Sequence, residues 1–239
     1  MNQNRPKLSV ISIAKRDDEF ETLRASLATQ TYRNFEFVSS TLGRIPEAWN
    51  DAISRARGQF LVFTESDSVP LTNRWLEEIA ATARQGCIMK GIEIRPSDLD
   101  LCNLVCDAEI FRTVRFDESF VIGEDTELFA HLRRLGRIPE FVNGFPVIHR
   151  PLQSWKKTIS RGFRRGMYVM KIIYLHGRTN LDDVNTRSHS PNYGHPVSNR
   201  VGIIVENVLV LVGLVVGTIL YVPVLLAPNR RAEEQGAMP

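Results

Sequence analysis

"GQFLVFTESDSVP", Gly58 to Pro70, decides how this chain is read. A glycine opens it, an unbroken apolar run follows from Phe60 to Phe63, and polar residues and a proline close it. A short apolar run between turn signals reads as a strand buried on both faces, the kind found in parallel sheets. Glu65 and Asp67 come directly after it. Residues i and i+2 of an extended segment project to one side, so the strand ends by presenting two carboxylates together. Such a pair can converge on one hard divalent cation, which prefers oxygen ligands. A solvated acidic turn is the other reading of the same triplet.

Outward from this stretch, strands and helices alternate. "LSVISIA" (Leu8 to Ala14) and "NFEFVSS" (Asn34 to Ser40) are β-rich, and "DEFETLRASLATQ" (Asp18 to Gln30) between them carries apolar residues at helical spacing. "IPEAWNDAISRARG" predicts a helix with Pro46 in its first turn and Gly58 as its stop. Beyond the acids, a helix is predicted from Pro70 through "LTNRWLEEIAATARQG", followed by a strand in "CIMKGIEI". This order implies an α/β fold built on a parallel sheet. Ligands of such sheets bind at the carboxyl ends of the strands, where Glu65 and Asp67 are then expected.

Composition narrows the function classes. The chain has 239 residues, 43% hydrophobic and 24% charged, the balance of a folded protein. A formal charge of +3 gives no reason to expect a nucleic-acid partner. Cys87, Cys102 and Cys106 form an odd count without CxxC or Cys/His ligand spacing, which fits a reducing compartment better than a disulfide framework or a zinc site. "MNQNRPKLSV" lacks the apolar core of a signal peptide, so the domain behind it is expected to stay in the cytoplasm.

Toward the other end, "VLVLVGLVVGTILYVPVLL" (Val208 to Leu226) carries no charge and as a helix would extend about 28 Å, against a hydrocarbon layer about 30 Å thick. It predicts one membrane span over 201–227, with a buried core helix or a re-entrant hairpin bent at Pro223 as the alternative. Trp155 to Arg200 holds nine Lys/Arg and two Asp. By the positive-inside tendency that asymmetry keeps the N-terminal domain cytoplasmic, on a single-pass protein of the cell membrane. The segment "WKKTISRGFRRGMYVMKIIYLHG" reads as an amphipathic helix able to lie in the bilayer interface with its cations toward anionic headgroups.

"LSVISIA", "SLATQTYRNFEFV", "ARGQFLVFTESDSVP" and "FDESFVIGEDTELFAHLRRLG" occur in an order that resembles the family 2 nucleotide-sugar glycosyltransferases of the GT-A fold, over Leu8 to about Gly166. The resemblance implies a Rossmann-like, mostly parallel sheet flanked by helices, followed by the amphipathic helix and a C-terminal transmembrane helix. The expected division is a catalytic domain over 6–150, a basic interfacial segment over 151–200, the span over 201–227 and a tail over 228–239. It also implies transfer of a hexose-like sugar from a nucleotide sugar to an acceptor hydroxyl, with inversion at the anomeric carbon.

Residue by residue, Glu65 and Asp67 match the acid-x-acid motif that holds manganese or magnesium against the donor phosphates. Glu124 and Asp125 match the acidic pair at the start of the acceptor helix, with Asp125 as general base. The same two acids also read as the acidic first turn of a helix ending at Gly136. His149 matches a histidine that completes the metal site in relatives, or closes a strand structurally. Arg161, Arg164 and Arg165 match a basic stretch that approaches the diphosphate, and guanidinium forks suit phosphate oxygens.

Two departures stand out. The second strand ends in Ser39 and Ser40 where relatives carry a base-gripping aspartate pair, and the first leads into "IAKRDDE", which leaves Asp17 or Asp18 as the acid expected near the base. The segment near the membrane points to a lipid-linked glycan acceptor, carried on polyprenyl or dolichyl, in cell-surface glycan synthesis or protein glycosylation. A polyprenyl- or dolichyl-phosphate sugar synthase, or a non-catalytic partner-binding homologue, is the alternative.

Overall fold

Leu8 to Ile13 form β1, the strand around which the molecule is organised. In this computed structural model the described residues are 5–94, 101–149, 155–176, 208 and 210–220. The other strands are β2 (Phe35–Ser40), β3 (Phe60–Phe63), β4 (Ser68–Pro70), β5 (Ile88–Lys90), β6 (Leu104–Asp107), β7 (Glu140–Phe141) and β8 (Val147–His149). The helices are α1 (Glu21–Ala28), α2 (Ile45–Arg55), α3 (Trp75–Thr82), α4 (Glu124–Arg134), α5 (Trp155–His176) and α6 (210–220).

Six strands make one sheet in the order β2-β1-β3-β6-β5-β7, while β4 and β8 form a separate two-stranded ribbon. Period-two alternation sends the side chains of β1 and β3 to two different cores. Leu8, Val10, Phe60 and Val62 pack with Leu23 and Leu27 of α1 and with Trp75, Leu76 and Ile79 of α3. Ile11, Leu61 and Phe63 pack instead with Trp49 and Ile53 of α2 and with Leu128 and Leu132 of α4. Helices therefore cover both faces, which explains why β3 reads as continuously apolar.

The parallel expectation holds for β2-β1-β3 and for β5/β7, but β6 runs antiparallel to both β3 and β5. Strands joined without a crossover helix return in the opposite direction; among the described residues between β5 and β6 there is none. The helix expected from Pro70 begins only at Trp75, because Ser68 to Pro70 are drawn into the ribbon against Val147 to His149. At the amino edge, the buried Ser9 hydroxyl accepts the Gly58 N–H and donates to Glu36, each at 2.7 Å, tying the loop before β3 to β1 and β2.

The C-terminal span expected over 201–227 is described only in part. Helix is present at 208 and over 210–220, and the rest of the expected span lies outside the described residues. Among the described residues, no helix is long and apolar enough to cross a membrane. Cys87, Cys102 and Cys106 are buried, and none is in a disulfide among the described residues.

Candidate active site

The carboxyl end of β3 is fixed on both sides, by β1 and by β6. Thr64 extends the ladder by one bond, its N–H donating to the Ile11 carbonyl at 3.1 Å. The chain then turns sharply, with the Ser68 N–H returning to the Glu65 carbonyl at 3.0 Å, so Glu65 and Asp67 occupy a tight turn on the strand tip, both partly exposed. The turn is pinned on its far side. Ser68 Oγ lies 2.9 Å from Cys102 Sγ, and its backbone pairs across the ribbon with His149. The His149 backbone thus stands one residue away from Asp67 in register, while its side chain lies outside the described residues.

Gly123 opens α4 at φ 79°, a left-handed conformation that glycine adopts without a Cβ penalty. Glu124 and Asp125 occupy the first turn, where free backbone N–H groups favour carboxylates. Asp125 Oδ1 accepts from the Thr126 N–H at 2.6 Å and from its hydroxyl at 3.2 Å, which fixes the orientation of the carboxylate.

Glu124 keeps part of its surface exposed, yet its carboxyl is crowded by protein atoms and its pKa is pushed up to about 8. Burial is the main cause, followed by the charge of Asp125 and then that of Glu65. The influence of Glu65 brings the tip of β3 and the start of α4 into one electrostatic neighbourhood. Two distant segments of the chain therefore act on each other electrostatically, the turn that carries Glu65 and Asp67 and the helix start that carries Glu124 and Asp125. Among the described residues no three His, Cys, Asp or Glu side chains are disposed to hold a metal ion by themselves. Glu65 and Asp67 supply two hard oxygen donors, a chemistry that fits manganese or magnesium and leaves positions for a ligand's own oxygens.

The residues expected on the donor side are placed as follows. Ser39 pairs with Ser12 in the β1/β2 ladder, and its carbonyl accepts from Arg55 at 2.7 Å. Asp17 is held on the surface by Arg24 of α1 at 2.6 Å, which also keeps its carboxyl below the usual range. Arg164 is exposed on α5; the side chains of Arg161 and Arg165 lie outside the described residues.

Sequence reasoning missed three features here. Ser12 and Thr64, one step beyond the Ile11–Phe63 pair of β1 and β3, are fully buried with hydroxyls that have no hydrogen-bond partner among the described residues. They sit where the sheet order reverses, the crevice in which open α/β sheets bind ligands. Asp51 of α2 accepts from Ser40 Oγ at 2.6 Å, so a carboxylate does reach the end of β2, delivered from a helix. Finally, Glu127 Oε1 of α4 meets His176 Nε2 of α5 at 2.7 Å in a nearly closed interface. A serine before a polar loop, or an acid three residues past a helix start, gives no local signal for any of these contacts.

No family model and no curated protein matches the chain. Solved structures do. A mannosyltransferase from Pyrobaculum calidifontis, PcManGT, solved with GDP-Man and Mn2+, superposes with a TM-score of 0.56 at 13% identity, covering 98% of this chain and 79% of that one. Glucosyl-3-phosphoglycerate synthase from Mycobacterium tuberculosis, solved with Mn2+, UDP and glucosyl-3-phosphoglycerate, gives 0.55 at 13% identity over 72% of this chain and 80% of that one. TarS of S. aureus, residues 1–349 with UDP-GlcNAc, gives 0.53 at 14% identity over 84% and 79%. Likeness at this identity shows a shared fold, the GT-A arrangement of sheet and helices.

Proposed function

We propose that the chain is a metal-dependent glycosyltransferase that moves a hexose-like sugar from a nucleotide sugar to a lipid-linked glycan at a membrane. The observation that supports this reading is the electrostatic influence of Glu65, at the β3 tip, on Glu124, at the start of α4, in a fold whose solved examples hold GDP-Man, UDP or UDP-GlcNAc. Glu65 and Asp67 would hold the divalent cation, which when bound offsets the charge gathering on a departing diphosphate.

The remaining chemistry belongs to the chain itself. Asp125, oriented by Thr126, takes the proton of an acceptor hydroxyl as that oxygen bonds to the anomeric carbon. The bond from that carbon to the diphosphate oxygen breaks and its electron pair leaves with the nucleotide, giving inversion in one displacement. Arg164 and its neighbours on α5 supply cationic donors on the approach. The uncharged stretch from Val208 to Leu226 and the basic stretch before it support attachment to a membrane, with the catalytic domain on the cytoplasmic side, where a polyprenyl- or dolichyl-linked acceptor is confined with the enzyme.

A donor-hydrolysis screen tests the reading. Membranes containing the wild-type chain are expected to hydrolyse one nucleotide sugar only with Mn2+ or Mg2+, and Asp67→Ala is expected to abolish this. Absence of hydrolysis and of nucleotide-diphosphate binding in the wild type would favour a non-catalytic, partner-binding role instead.

A further inference from the structure

The glycines of α5 and α6 interlock. Gly166 lies against the backbone of Val210 and Leu214, and Gly213 against that of Phe163 and Met167, so tightly that a methyl on either would overlap a carbonyl oxygen. A methyl on Gly217 would come within 2.7 Å of the Met167 carbonyl oxygen. Small residues four apart that let backbones touch are a pairing device of helices in lipid. In this molecule the seam is filled by the chain's own α5.

The other side of α6 is apolar and open. Leu211, Val215 and Ile219 recur every four residues at 61%, 62% and 67% exposure, and Val208, Val212 and Leu220 widen the stripe. Thr218 is also exposed, but its hydroxyl donates to the Leu214 carbonyl at 2.8 Å, so it asks nothing of the medium outside. α5 is in turn fastened to α4. Ile172 is buried in one cluster with Phe120 and Ala130, and Lys171 Nζ sits 4.0 Å above the Phe120 ring and reaches Ser119 Oγ at 2.5 Å. His176 closes the joint on Glu127.

We infer that the outward stripe of α6 is covered by the acyl chains of a bilayer, while α5, paired with α6 through the glycine seam, stays at the bilayer interface, so that α4 is held at a fixed position relative to the membrane surface. Lipid is the occupant for three reasons. The apolar sequence continues without a charge to Leu226, beyond the described helix. The nine Lys/Arg against two Asp between Trp155 and Arg200 complement anionic headgroups at its edge. The glycine seam, through which a second copy would pack most closely, is occupied. The inference rests on the membrane-attached part of the function proposed above and sharpens it: the helix that carries Asp125 would be oriented by the membrane through α5.

Flotation of the full chain on phosphatidylcholine vesicles containing phosphatidylglycerol tests it. Wild type is expected to float, and Leu211→Ser/Val215→Ser/Ile219→Ser to lose at least tenfold in the floating fraction. A fluorophore on Val215→Cys is expected to be quenched by spin-labelled acyl chains. A triple variant that floats like wild type, or a label that escapes quenching while Val215→Cys forms a disulfide between copies, overturns the proposal in favour of a self-associating face. The triple variant is expected to retain donor hydrolysis, so loss of flotation with hydrolysis intact separates this inference from the chemistry, and flotation without any hydrolysis in the wild type would overturn the transferase reading alone.

Discussion

Glu65, just past the end of β3, and Glu124, the first residue of α4, lie close enough for the charge of one to raise the pKa of the other, although 58 residues separate them, counting from 66 to 123. Neither segment is adjacent to the other in the sheet order. What links the two segments is one hydrophobic cluster, which holds Leu61 and Phe63 of β3 and Leu128 and Leu132 of α4.

Asp125→Asn keeps the side-chain shape but removes the base. Transfer to a hydroxyl acceptor is expected to fall by about 10² to 10⁴-fold, with nucleotide binding retained in a calorimetric titration. Transfer to polyprenyl or dolichyl phosphate would largely survive, because that acceptor is already ionised; retained activity would therefore select the lipid-phosphate sugar synthase reading.

The raised pKa of Glu124 makes stability depend on pH in the metal-free protein. An acid whose folded pKa, about 8, exceeds its ordinary value of 4.5 holds more protons folded than unfolded. Stability is then expected to fall as pH rises through that interval, at a limit of roughly 1.4 kcal/mol per unit of pKa difference. Glu124→Gln removes the proton exchange, so thermal melts of the variant between pH 5 and 8 should vary less than those of the wild type.

Asn103 is a buried hub. It accepts from Trp75 Nε1 at 3.1 Å and donates to the carbonyls of Ile92 and Phe145 at 3.0 and 2.8 Å. It also adopts φ 57°. Asn103→Ala strands two buried groups and one part-buried carbonyl at once and is expected to cost about 3 kcal/mol or more, measured by urea denaturation; a change under about 1 kcal/mol would mean that water replaces the lost bonds.

His176→Ala removes the partner of the buried Glu127 carboxylate at the α4–α5 joint. Leaving a buried polar group without its hydrogen-bond partner costs about 1–3 kcal/mol, and here the cost falls on the α4–α5 joint. Limited proteolysis is expected to cut within α5 sooner, with the sheet domain remaining resistant.

The legible parts of this protein were those with a local signature. Phe60 to Phe63 announced a buried strand because both its faces are covered, and "IPEAWNDAISR" announced α2 through its apolar spacing and Pro46. Pro70 misled because its punctuation suits either a helix start or a strand edge, and only Val147 to His149 on the other side of the ribbon settles which. The direction of β6 had no signature either, since a buried strand has the same composition whichever way it runs.

The chain alone determined the strand tip that carries Glu65 and Asp67, the acidic start of α4 and the apolar run from Val208, because each follows from residue type and spacing within one segment. Tertiary structure decided that the charge of Glu65 acts on Glu124, that Asp51 bonds Ser40, that Ser12 and Thr64 are both buried, and that α6 presses its glycines on α5. Those relations join residues tens of positions apart, and they arise from which apolar faces are buried together, a choice the whole core makes at once and no single segment specifies.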